Sequence, residues 1–200
     1  MVIRLNLSGL VRYVSATERQ RRRRALELRD QSLSEYSVAT DFWRSMRVGI
    51  YNDRRTVRDG SVIQDIADQA RGLRRPSYAV IAAQWPGIAE RWKGAHFHRL
   101  SAADLIVGGV DVAVRPLFSE EWPDGTVEDV AVWMNLEAPT EAAVRAALRL
   151  MTRANPAPNS VATFVDVRRG KVWSSTDLEI ESVDNWLEEI GERFLSDVGP

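Results

Sequence analysis

From Thr126 to Glu137 the chain reads TVEDVAVWMNLE, a run of Val, Ala, Trp and Met dense enough to predict a strand buried on both faces. Patterns typical of hairpins lie on either side of it. Before it, DLIVGGVDVAV places two apolar runs around Gly108-Gly109, a pair suited to a two-residue turn with positive φ. After it, VATFVDV and KVWSS flank Arg168-Arg169-Gly170 in the same manner. SEEWPDG reads as the turn leading into the central run, with Asp124-Gly125 as its pivot, and LEIESV reads as an added edge strand. Alternation over Ala95 to Leu100 predicts a further short strand.

Elsewhere the apolar period is helical. Met1 to Val14 reads as a short strand or an irregular lead-in. Ser15 with Glu18 fits a capping box before a solvated helix over Thr17 to about Asp30. Ser34 to Ile50 predicts a helix whose buried face includes Phe42 and Trp43, followed by YNDRRTVRDG as a polar connector. Val62, Ile63, Ile66, Ala67 and Ala70 form the apolar face of the next helix, capped by Asp59 or Ser61 and ended near Gly72. YAVIAAQW continues the helical pattern, with a kink or a fresh start at Pro86 and a stop at Gly94. Thr140 caps a helix from Glu141 to about Ala154, and Asp184 to about Val198 forms a last, acidic one. The fold class that follows is α+β: a helical N-terminal half packed on a mixed sheet, with a helix inserted between strands and a C-terminal helix.

Composition sharpens this picture. With 200 residues and 44% hydrophobic content, the chain supports one sizeable core. No apolar run approaches the roughly 18 to 20 residues of a membrane helix, and Arg4 and Arg12 interrupt the segment where a signal peptide would be apolar, so no membrane partner and a cytoplasmic location are expected. The absence of cysteine excludes disulfides and thiol chemistry. Charge divides the chain. Residues 1–100 form a basic helical region with 19 Arg or Lys against 10 Asp or Glu, and residues 101–200 form an acidic sheet-and-helix region with 8 against 18, the two making one compact unit. Such a split serves attraction between the halves, self-association, or contact with a polyanion.

The candidate polyanion-binding residues are Arg19, Arg21, Arg22, Arg23, Arg24, Arg54, Arg55 and Arg58. Four consecutive arginines spread around all sides of a helix at about 100° per residue, so they raise the local potential without forming one stripe. His96 and His98 share one face of a strand, a spacing open to metal ligation, but no cysteine or adjacent carboxylate completes a set. Phosphate-loop, dinucleotide, nucleophile-elbow and H-E-x-x-H signatures are all absent. No cofactor is expected.

VDVAVRPLF, VAVWMNLEAP with its following helix, and FVDVRRGKVW together resemble a group of uncharacterised bacterial proteins that share a closing VLDVRRGKL-like hairpin. The resemblance spans roughly residues 40 to 175. The group carries a lysine where this chain has Asn135, and it implies no activity. The order of elements also resembles the PD-(D/E)XK nuclease core. That likeness implies a metal site at Asp111, Glu128 and Asp129, in which carboxylates hold magnesium and a lysine orients the attacking water. Neither Lys93 nor Lys171 follows a carboxylate by two positions, so the motif is incomplete. The sequence therefore reads first as a non-catalytic interaction or regulatory module that binds itself or an acidic protein, second as a nucleic-acid-binding protein, and third as a divergent metal-dependent nuclease.

Overall fold

Val127–Trp133, the apolar heart of the central run, is the middle strand of a five-stranded sheet. The computed structural model describes residues 3–34 and 41–199. In chain order its elements are β1 (Arg4–Asn6), α1 (Leu7–Val14), α2 (Glu18–Leu33), α3 (Arg44–Arg55), α4 (Ser61–Gln69) and α5 (Arg74–Ala89). There follow β2 (His96–His98), β3 (Ala103–Val107), β4 (Val110–Val114), β5 (Phe118–Glu121), β6 (Val127–Trp133), α6 (Glu141–Ala154), β7 (Ser160–Asp166), β8 (Lys171–Ser174) and α7 (Asp184–Val198). The large sheet runs β2-β5-β6-β7-β8, and a small one runs β1-β4-β3.

The large sheet is mixed: β6 pairs antiparallel with β5 and parallel with β7, with α6 as the crossover between the parallel pair. Both of its faces are covered. Val130 and Val165 pack with Phe118, Trp85 and Trp92 under α3, α4 and α5, while Ala131, Trp133, Ala162 and Phe164 pack against α6 and, beyond it, α1, α7 and the small sheet. Two-sided burial explains why Val130 to Met134 is continuously apolar rather than alternating. Removing one such Val or Phe side chain from water stabilises the fold by about 1.5–3 kcal/mol.

Local chemistry explains most boundaries. Thr140 caps α6 by accepting from the Ala143 amide at 3.3 Å. The first solvated helix is capped by Thr17 with Gln20, whose Oε1 accepts from the Thr17 hydroxyl at 2.9 Å, and not by Ser15 with Glu18. Ser15 instead closes α1, with its amide bonded to the Val11 carbonyl. The lead-in holds both a strand and a helix, because Leu5 pairs parallel with Val112 while Asn6 caps α1 by accepting from the Gly9 amide at 2.7 Å.

Several elements differ from the sequence expectation. SEEWPDG is not wholly a turn: Ser119, Glu120 and Glu121 complete β5, and the turn begins at Trp122. The polar connector is helical as far as Arg55, since Met46, Gly49, Ile50 and Asp53 form one buried face of α3. Residues 35–40 of the helix expected over Ser34 to Ile50 lie outside the described residues; the helix itself starts at Arg44, after Phe42 and Trp43. Pro86 lies inside one uninterrupted α5. LEIESV forms no strand; its end is a single tight turn, Glu181–Val183, that leads into α7.

Where α7 crosses the β3–β4 turn the two backbones touch. A methyl group at Gly191 would lie 2.0 Å from the Val107 carbonyl oxygen, and one at Gly108 would lie 2.1 Å from that of Glu188. Only glycine at both positions permits this crossing.

Candidate functional site

Glu120 and Glu128 face each other across β5 and β6 on the side covered by α3–α5. Both are buried, and each is met by side chains of the protein. Glu120 accepts from Arg54 Nε at 2.8 Å and Arg58 Nη2 at 2.9 Å. Glu128 accepts from Arg91 Nε at 3.0 Å, Thr163 Oγ1 at 2.5 Å and Trp122 Nε1 at 3.3 Å. Adjacent strand residues point to opposite faces, so Asp129 lies on the α6 side, where Ser119 Oγ and Asn155 Nδ2 donate to it.

Asp111 belongs to the small sheet. It alternates with the buried Val110 and Val112, so it points away from the core, where Arg4 Nε lies 3.7 Å from its Oδ2. Asp111, Glu128 and Asp129 therefore occupy two sheets and three directions, and the structure does not bring them together. Among the described residues no three His, Asp or Glu side chains converge in a way that could hold a metal ion. His98 Nδ1 contacts Glu121 Oε2 at 3.0 Å, and His96 lies in the register opposite Glu121.

The arginines divide into two sets. Arg54, grouped by sequence with the polyanion-binding residues, is only 3% exposed in its side chain and lies beneath α5, with its guanidinium over the Trp92 ring. Arg58 also turns inward and donates to the Ala95 carbonyl, so Arg55 alone of that trio projects outward. The cause is Glu120: a carboxylate buried in β5 draws both guanidiniums to it. On α2, Arg19 and Arg22 are exposed without an ion pair among the described residues, Arg23 approaches Glu27 at 3.5 Å, and Arg24 bridges Glu27 and Glu137. Arg21 is half-buried, and its Nε has no hydrogen-bond partner among the described residues.

The opposite charges of the two halves thus meet within one chain. Arg54 and Arg58 pair with Glu120, Arg91 with Glu128, Arg24 with Glu137, Arg4 with Asp104, and Glu18 with Arg193. No described helix is long and apolar enough to cross a membrane.

A surface cluster at the carboxyl end of β6 had no counterpart in the sequence reading, which assigned Phe42 and Trp43 to a helix core. Phe42 packs edge-on against Trp43 and Tyr78, Trp43 stacks on Tyr78, and Arg74 lies over Phe42 at 5.8 Å. Trp43 Nε1 donates to Asn135 Oδ1 at 3.1 Å, which ties the cluster to the loop after β6. Both Phe42 and Trp43 remain partly exposed. Next to Arg74 and Asn135 in sequence stand the two most exposed large apolar side chains described, Leu73 at 87% and Leu136 at 71%. Arg44 and Arg71 are exposed close by in sequence and make no ion pair among the described residues. Both aromatics pack against the core while keeping part of their surface exposed.

No protein-family model matches the chain, and no curated protein matches it.

Proposed function

We propose that the protein is a non-catalytic interaction module that engages an acidic protein through the arginine–aromatic surface around Trp43, Leu73 and Leu136. The observation that carries this reading is the composition of that surface. Aromatic and arginine side chains dominate the energetics of protein contacts, and exposed leucines beside them supply area that water solvates poorly. Arg44, Arg71 and Arg74 add positive charge and form no ion pair among the described residues, which favours a partner of the opposite sign. Further support comes from the sheet carboxylates, whose oxygens are engaged by Arg, Thr, Trp, Ser and Asn side chains instead of converging on an open position.

Titration with polyglutamate, followed through tryptophan fluorescence, tests the reading. Saturable binding at low salt is expected, weakening as salt rises and lost in the Arg71→Glu, Leu73→Ala double variant. Failure of polyglutamate to bind at low salt overturns it.

A second reading, nucleic-acid binding, draws support from Arg19 and Arg22, which stand exposed on α2 with no ion pair among the described residues. A random DNA duplex bound at low salt, with a salt slope that falls when Arg19 and Arg22 become Glu, supports it. A duplex that does not bind removes it.

A further inference from the structure

Beyond its first two residues, Arg74 and Arg75, the outward face of α5 carries no charge. Its inward positions, among them Tyr78, Ile81, Trp85 and Ile88, lie in the core. Its outward positions are Pro76, Ala79, Val80, Ala83, Pro86 and Gly87, all exposed, flanked by the exposed, uncharged Gln84. Between Arg75 and Glu90 the sequence contains no Asp, Glu, Lys or Arg, in a chain where 28% of residues are charged. A surface helix ordinarily sets charged residues on its outward face. Here α4 and the sheet cover only the inner part, and Val80 and its neighbours form a continuous ridge.

The charges at the ends of this ridge identify what covers it. Arg74 and Arg75 open the helix and Glu90 follows its last residue, with no acidic residue in the first turn and no basic residue in the last. This arrangement opposes the helix dipole at both ends, since a helix N-terminus favours anions and a C-terminus favours cations. Glu90 is only loosely held, by Lys93 at 3.5 Å, while Arg91 is turned toward Glu128. A second α5 laid antiparallel reverses both unfavourable placements at once. A two-fold axis between Ala82 and Ala83 sets Arg75 of each copy against Glu90 of the other and brings each N-terminus beside a C-terminus. Alanine and glycine at the centre let the two helices approach closely, and a face that complements itself about a two-fold axis is what a closed dimer requires.

We infer that the chain forms a symmetric dimer through antiparallel packing of α5 on α5. The inference extends the reading as an interaction module without requiring its acidic partner, and the two are tested apart: sedimentation reads the dimer, polyglutamate titration the other surface. Analytical ultracentrifugation of the full chain should give twice the mass of 22.6 kDa. A ridge 16 residues long spans about 24 Å, so dissociation in the range of about 1–100 μM is expected. Ala83→Arg, an exposed position where arginine favours the helix, should leave the circular dichroism unchanged and weaken dimerisation at least about 10-fold.

Charge exchange gives the sharper test. Arg75→Glu and Glu90→Arg should each sediment as monomers, because each sets like charges together. An equimolar mixture of the two variants should recover the dimer mass, because each unlike pair is then restored across the axis. A wild-type chain that remains monomeric throughout that concentration range overturns the inference, as does a dimer that Ala83→Arg leaves intact or a mixture that stays monomeric.

Discussion

Arg54 of α3 and Glu120 of β5 form a buried ion pair, Nε to Oε1 at 2.8 Å, with side-chain exposures of 3% and 0%. Arg58 meets the second oxygen of the same carboxylate. The pair joins the helical layer to the sheet. Its desolvation is tolerable only while both signs are present, so removing one partner costs far more than the pair contributes. Glu120→Ala should therefore lower stability by about 3–5 kcal/mol in urea unfolding. The double variant Arg54→Met, Glu120→Leu should lie closer to wild type, because it removes both buried charges and leaves Arg58, which is partly exposed, free to turn outward. Equal losses in the single and double variants would contradict this.

Tyr13 predicts an alkaline limit. Burial, and then the hydrogen bond its hydroxyl donates to Asp197 at 2.7 Å, raise the phenol above its ordinary value of about 10. The folded chain keeps this proton where the unfolded chain loses it. Stability present below about pH 10 should therefore fall as pH rises from there through the folded value. Urea midpoints measured from neutral pH upward should show the decline in wild type and a weaker one in Tyr13→Phe.

At the glycine crossing, Gly191→Ala would press a methyl group onto the Val107 carbonyl, a backbone atom with no rotamer to yield. A loss of at least about 1–3 kcal/mol is expected, seen as a lower thermal midpoint. Gly87→Ala meets nothing within 4 Å and should be neutral or slightly stabilising. A Gly191→Ala variant as stable as wild type would show that α7 can shift away from the small sheet.

The separation of Asp111 from Glu128 and Asp129 predicts that titration calorimetry with magnesium or manganese gives no saturable heat, in wild type or in Asp111→Ala. A saturable isotherm lost in Asp111→Ala would restore the metal-site reading.

The central strand, α6 and α7 were legible because each carries its signal locally: a continuous apolar run, a Thr140 cap, a helical repeat. The strand character of Ser119 and Glu120 was not. Polar residues in FSEE look like a turn until Arg54, Arg58 and Asp129 arrive from distant parts of the chain to meet them. The same non-local pairing buries Arg54 and draws Arg58 partly inward, while their neighbours Arg55 and Asp59 stay exposed. Trp43 does pack against the core, as its hydrophobicity argued, but only in part, because its indole also reaches Asn135 in the loop after the middle strand, a partner 92 residues away.

The parallel pairing of β1 with β4 sets an order on folding. Leu5 finds Val112 only after every helix of the α3–α5 layer has been made, so β1 joins the local β3–β4 hairpin by closing a very long loop. Until then Leu5, Leu7 and Leu10 have no sheet to cover them. During synthesis, this early apolar segment is where premature association between chains would begin.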